Sequence, residues 1–136
     1  MSPLFVYGTL RDPDIRAAVL GRDVEAEPAT LPGYRTVFYP GRSYPALAPA
    51  QGQRAHGLLL TGLTGADLAM LDAFEAHEYR RDAVRVATGR GAVVAETYMP
   101  VVEIGAGARE WTLEDWTVRH KTAMLAGEFG HRPQPR

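Results

Sequence analysis

Two groups of residues in this chain have the types and spacing to do chemistry. The first is Glu75. Counting along a helical stretch, Leu68, Leu71 and position 75 fall on one inward stripe, and position 75 holds a carboxylate. Burial disfavours the ionised form, and a place in the last turn sets the group against the negative end of the helix dipole. Both effects raise its pKa towards neutrality, which suits a general acid/base. The same residue could equally be a structural acid paired with Arg80 or Arg81, or a glutamate at the helix edge, and the sequence leaves these open.

The second group is the run Tyr7-Gly8-Thr9-Leu10. Leu4, Phe5, Val6 and Tyr7 are strand formers, and the period changes after Gly8. Gly8 permits a sharp bend, so consecutive N–H groups from Gly8 to Arg11 can point into one concavity suited to an anion. Asp12 is a natural N-cap and Pro13 a natural first helical residue, so a helix dipole begins close by. A plain glycine corner between a strand and a helix reads the same way.

These groups need elements to hold them. A short helix is expected over Pro13 to Leu20, stopped by Gly21. Pro28, Pro32-Gly33, Pro40-Gly41, Pro45 and Pro49 punctuate residues 24–49 and point to short strands only, such as Tyr34 to Tyr39. Within that region Tyr39, Arg42 and Tyr44 form either a pocket wall or a stiffened loop. His56 to Leu60 reads as a buried strand closed by Thr61-Gly62. A helix over about 65–76 follows, with Thr64 and Asp67 as a capping box. Asp72 falls on its flank, suited to capping or solvent, and His77 is expected to face solvent. Asp82 to Val86 and Ala92 to Met99 then form a hairpin turning at Gly89-Arg90-Gly91, with Val94, Glu96 and Tyr98 on one face. From Arg109 to Gly127, Leu113, Trp116, His120 and Ala123 or Met124 predict one amphipathic helix capped by Thr112, with His120 in the core.

Composition bounds the rest. The 136 residues, 46% of them apolar, suit a single domain over 1–127, followed by a polar, proline-rich tail over 128–136. A net charge of −1 provides no global basic field, and no local patch suggests nucleic acid. There is no cysteine, hence no disulfide or thiolate chemistry, and no His or carboxylate cluster has metal-ligand spacing. No apolar run approaches membrane-spanning length, and the N-terminus lacks signal-peptide character. The expectation is a soluble, cytoplasmic protein without membrane or nucleic-acid partners; its oligomeric state is open, a homodimer included.

Taken in order, Tyr7-Gly8-Thr9-Leu10, Tyr44-Pro45-Ala46-Leu47, Leu71-Asp72-Ala73-Phe74-Glu75 with Tyr79-Arg80-Arg81, and Thr97-Tyr98 resemble the gamma-glutamylcyclotransferase-like family, including its AIG2-like branch. The likeness covers about residues 4–125, since Trp111 to Leu125 is also similar to the C-terminal segment of AIG2-like proteins. It implies an α+β fold, a small mixed-strand barrel flanked by a few helices, in agreement with the strand-rich middle of the chain. It also implies a cofactor-free reaction in which the α-amine of a γ-glutamyl group attacks its own side-chain carbonyl, releasing 5-oxoproline and an amine. By motif, Glu75 would be the catalytic acid/base. Backbone groups of Tyr7, Gly8, Thr9 and Leu10 would hold the substrate's polar head, and Tyr98 would line the pocket. Tyr44 and Arg80 are further binding candidates from the same likeness, and Tyr79 and Arg80 could instead brace the barrel. The leaving amine is not specified by these motifs. Two other classes stay open: a non-catalytic binder of a small carboxylated metabolite, and an interaction protein using the Trp111 to Leu125 helix or a barrel edge.

Overall fold

The N-terminal strand β1 (Leu4–Val6) is apolar at every position because both of its faces are covered. In the computed structural model, which describes residues 2–75 and 77–126, Phe5 points into a barrel while Leu4 and Val6 face the surrounding helices. A 3-10 turn (Thr9–Arg11) and helix α1 (Pro13–Leu20) follow. Asp12 caps α1 by accepting from the amides of Asp14 and Ile15, and Gly21 closes it in the left-handed conformation at φ 73°.

The long strands β2 (Glu25–Phe38) and β3 (Pro45–Thr61) form one antiparallel ribbon. This corrects the expectation of short strands across 24–49. Pro28 and Pro32 are four residues apart, so their missing N–H groups fall on the same edge of β2, and the ladder to β3 runs through both. The register breaks between Pro32 and Tyr34, where Gly33 has φ 84°. The strand expected over His56 to Leu60 is therefore only the end of β3, with His56 exposed.

Helix α2 (Gly65–Glu75) leads into the hairpin β4 (Tyr79–Thr88) and β5 (Gly91–Pro100). The five strands close into a barrel in the order β1-β3-β2-β4-β5. Closure is parallel between β1 and β5, at Leu4 opposite Glu96, and antiparallel between the other neighbours. The mixed barrel with flanking helices is the α+β fold expected. Its interior holds Phe5, Leu31, Leu59, Val86 and Ala95. Gly57 is required here, because a Cβ would lie 2.3 Å from the Val6 carbonyl and 2.8 Å from the Phe5 ring.

The C-terminal helix is two helices, α3 (Leu113–Arg119) and α4 (Lys121–Ala126), broken at His120 with φ −129°. Thr112 caps α3 as expected, but His120 is partly exposed rather than core. Trp111, Trp116 and Met124 are buried against the body of the chain. Trp116, which the interaction reading places at a contact surface, is therefore covered, while Val118 and Leu125 on the same two helices are exposed. The proposed tail over 128–136 lies outside the described residues.

Candidate active site

Helix α2 begins with the reciprocal cap that the sequence indicates: the Thr64 amide donates to Asp67 Oδ2 at 2.9 Å, and the Asp67 amide donates to Thr64 Oγ1 at 3.1 Å. With the start fixed, the 3.6-residue period carries Leu68, Leu71 and Glu75 inward. Glu75 is 1% exposed, and both carboxylate oxygens are sealed from solvent. It borders a cavity of about 10 Å³ lined also by Phe5, Val6, Tyr7, Leu10, Tyr79 and Tyr98. That is about the space of one water, so any larger group enters only as the walls move apart.

Three tyrosines frame the cavity, and the hydroxyl of each donates to a protein oxygen. Tyr7 donates to the Tyr98 carbonyl at 2.6 Å, Tyr79 to the Pro45 carbonyl at 2.5 Å, and Tyr98 to Asp72 Oδ1 at 2.7 Å. Asp72 is in turn gripped by Arg81, whose Nε and Nη2 each lie 3.1 Å from one carboxylate oxygen, while Nη1 reaches Glu96 at 2.7 Å. Burial first, then the hydrogen bond to Asp72 and the negative charges of Asp72 and Glu75, push the Tyr98 phenol well above its ordinary value. It stays a neutral hydroxyl across the physiological range.

The Tyr7-Gly8-Thr9-Leu10 stretch lies at the cavity through Tyr7 and Leu10, and Thr9 is buried beside them. The nest is narrower than Gly8 to Arg11, because the Arg11 amide donates to the Gly8 carbonyl at 3.0 Å and closes the turn on itself. Lys121 anchors the turn from outside, reaching Asp12 at 2.9 Å and Asp14 at 2.8 Å.

Tyr44 and Arg80 stand apart from the cavity lining. Tyr44 is partly buried, donates to the Glu78 carboxylate at 2.6 Å, and packs its ring 6.5 Å from Tyr79, so it backs the wall. Arg42 accompanies it, donating to the Tyr44 hydroxyl at 2.9 Å and to Glu78 at 3.2 Å, and Tyr39 packs 5.3 Å from Tyr79. Arg80 is exposed and paired with Asp82 at 2.7 Å. Strand alternation from the buried Tyr79 turns Arg80 outward and brings Arg81 to Asp72. His77 is exposed, as expected.

Asp72, Arg81 and Glu96 are the members of the site that the residue pattern alone does not single out. A signal for them was present. A hairpin register of Thr88 opposite Gly91 places Arg81 opposite Tyr98, and Asp72 precedes Glu75 by three residues on one helix.

The family model described as gamma-glutamyl cyclotransferase, AIG2-like, matches residues 4–118. The chain belongs to this family. An AIG2-like protein A of Arabidopsis thaliana is 36% identical over 125 residues, covering 90% of this chain and 76% of that protein. A solution structure of an Arabidopsis thaliana protein superposes with a TM-score of 0.72 at 33% identity, covering 98% of this chain and 95% of that one. A solved gamma-glutamyl cyclotransferase shares the fold at a TM-score of 0.62 and 18% identity, covering 74% of this chain and 66% of that one. Family membership gives the chain a cyclotransferase-type frame. Among the described residues no helix is long and apolar enough to cross a membrane.

Proposed function

We propose that the chain is a cyclotransferase acting on a small γ-glutamyl compound, releasing 5-oxoproline and a free amine. The observation that carries this reading is the sealed Glu75 carboxyl at a cavity bordered by Tyr7, Leu10 and Tyr98. The α-nitrogen of the substrate attacks its own δ-carbonyl carbon. A ring C–N bond forms, the C–N bond to the leaving amine breaks, and no water is consumed. The nucleophile is already tethered, so the protein's tasks are to fold the substrate and to move protons.

Glu75 takes a proton from the α-ammonium and delivers one to the departing nitrogen. Its burial favours the neutral carboxyl over the carboxylate, which brings it nearer the balance a proton shuttle needs. The Tyr7 to Leu10 turn holds the substrate's polar head through backbone groups, and Tyr98 forms the opposite wall. The chemistry draws on side chains, backbone and the substrate's own amine, so no cofactor has a part in it. The test is 5-oxoproline release from a panel of γ-glutamyl amino acids, glutathione and γ-glutamyl amines. Turnover of at least one class is expected. Saturable binding of such compounds with no release from any of them would favour the non-catalytic binder of a carboxylated metabolite.

A further inference from the structure

The outer face of the barrel carries a second concavity, built from residues that the Glu75 cavity does not use. Alternation along β3 turns Ala55 into the barrel and sets Arg54, His56 and Leu58 on the opposite face, where Leu58 packs towards the helices. Thr30 lies opposite His56, and Ala87 opposite Thr30, so β3, β2 and β4 all contribute to the floor. Arg11, from the 3-10 turn after β1, and Leu113, at the start of α3, complete the lining. The groove measures about 630 Å³, within the roughly 300–1,000 Å³ of small-molecule sites.

Its charge is one-sided. Arg11, Arg54 and His56 line it, and none of the described residues that line it is acidic, although the whole chain has a net charge of −1. Arg54 and His56 are exposed, but Arg11 is partly buried. The other partly buried arginines and lysine all have oxygen partners: Arg16 reaches the Leu10 and Arg11 carbonyls, Arg35 the Ala108 carbonyl, Arg81 Asp72 and Glu96, and Lys121 Asp12 and Asp14. Among the described residues no hydrogen bond or ion pair meets the Arg11 guanidinium. Burial is the largest influence on it and displaces its ionisation downward; the charge of Glu114 opposes this without forming an ion pair. A guanidinium nevertheless keeps its proton, so Arg11 bears the desolvation cost of its charge without an oxygen to offset it.

We propose that this groove is a binding site for a small organic dianion, a phosphate monoester or a dicarboxylate, held between Arg11 and Arg54. Guanidinium forks match the paired oxygens of either group, and two of them suit a double charge. His56 adds a ring N–H donor, and the partly exposed Leu58 and Leu113 offer apolar surface to the organic part. The site does not depend on the cyclotransferase reading, since Glu75 has no part in it.

The probes are phenyl phosphate, phthalate and, as a singly charged control, benzoate. Each is titrated at constant ionic strength into wild type, Arg11→Gln, Arg54→Gln and Glu75→Gln, with binding followed by amide NMR shifts and folding checked by melting temperature. Wild type should bind at least one dianion saturably and at least about tenfold more tightly than benzoate, with shifts at Arg11, Arg54 and His56. Tighter binding of phenyl phosphate or of phthalate supports the site and names its class. Arg11→Gln should weaken that dianion about tenfold, and the exposed Arg54→Gln about threefold, while Glu75→Gln binds as wild type. No saturable binding of either dianion, equal binding of benzoate, or loss of binding in a folded Glu75→Gln protein overturns the proposal. Undiminished binding in a folded Arg11→Gln protein overturns it as well, and if that variant fails to fold, undiminished binding in Arg54→Gln does so.

Discussion

Helix α2 carries a carboxylate near each end, and their surroundings are opposite. Asp67 sits in the first turn, where the Thr64 amide, the Thr64 hydroxyl and the Arg22 guanidinium all favour its charge. The backbone hydrogen bond from Thr64 is the largest of the influences that hold its carboxyl below the usual range, and desolvation opposes them. Glu75 sits in the last turn, at the unfavourable end of the dipole, sealed among Phe5, Leu10 and three tyrosines. The same helix therefore uses one acid to fix its start and presents the other in a setting that disfavours its charge. A carboxylate that stabilises the fold sits where donors favour its charge; one suited to moving protons sits where burial and the helix dipole oppose it.

The sharpest way to break this contrast is to neutralise each acid in turn. Glu75→Gln should lower turnover by about 10²–10⁴-fold, the usual contribution of a positioned acid/base, while the melting temperature holds or rises because a buried carboxyl has been removed. Asp67→Ala should do the reverse, costing about 1 kcal/mol of stability by denaturant titration and leaving turnover per folded molecule unchanged. A loss of activity in both variants, or of stability in both, would erase the distinction.

Acidity separates the two ends again. The folded Asp67 titrates below its unfolded value of about 3.9, so its stabilisation is complete above that pH and disappears as pH falls through the folded value. Asp67→Asn should flatten the acid limb of a stability-against-pH curve measured by chemical denaturation, and Glu75→Gln should not. At the alkaline end, the raised Tyr98 ionisation implies stability that is intact below about pH 10 and declines above it, as the unfolded phenol ionises and the folded one does not. Tyr98→Phe should make that decline shallower, the smallest of these effects.

What was legible in the sequence follows the range of the interaction. Asp12 with Pro13, Gly21, and Thr64 with Asp67 were readable because a cap and its helix lie within four residues of each other. Glu75 was readable because one helical period links it to Leu68 and Leu71. The β2–β3 ribbon was not, since the damage a proline does depends on which edge loses the N–H, and that is settled by strand neighbours far along the chain. The break at His120 is not legible either, because the apolar spacing from Leu113 to Met124 continues across it. Arg80 and Arg81 could have been sorted by alternation from Tyr79. The contact between Asp72 and Tyr98, by contrast, requires α2 to be laid against the hairpin, which no local pattern specifies.

The most direct test of the account is the initial rate of 5-oxoproline release by wild type and Glu75→Gln, side by side, on the best γ-glutamyl substrate of the panel, with folding confirmed by circular dichroism. The account predicts turnover by wild type and a variant that is folded, binds the substrate and is slower by at least about 10²-fold. A folded Glu75→Gln protein that releases 5-oxoproline at the wild-type rate would contradict it.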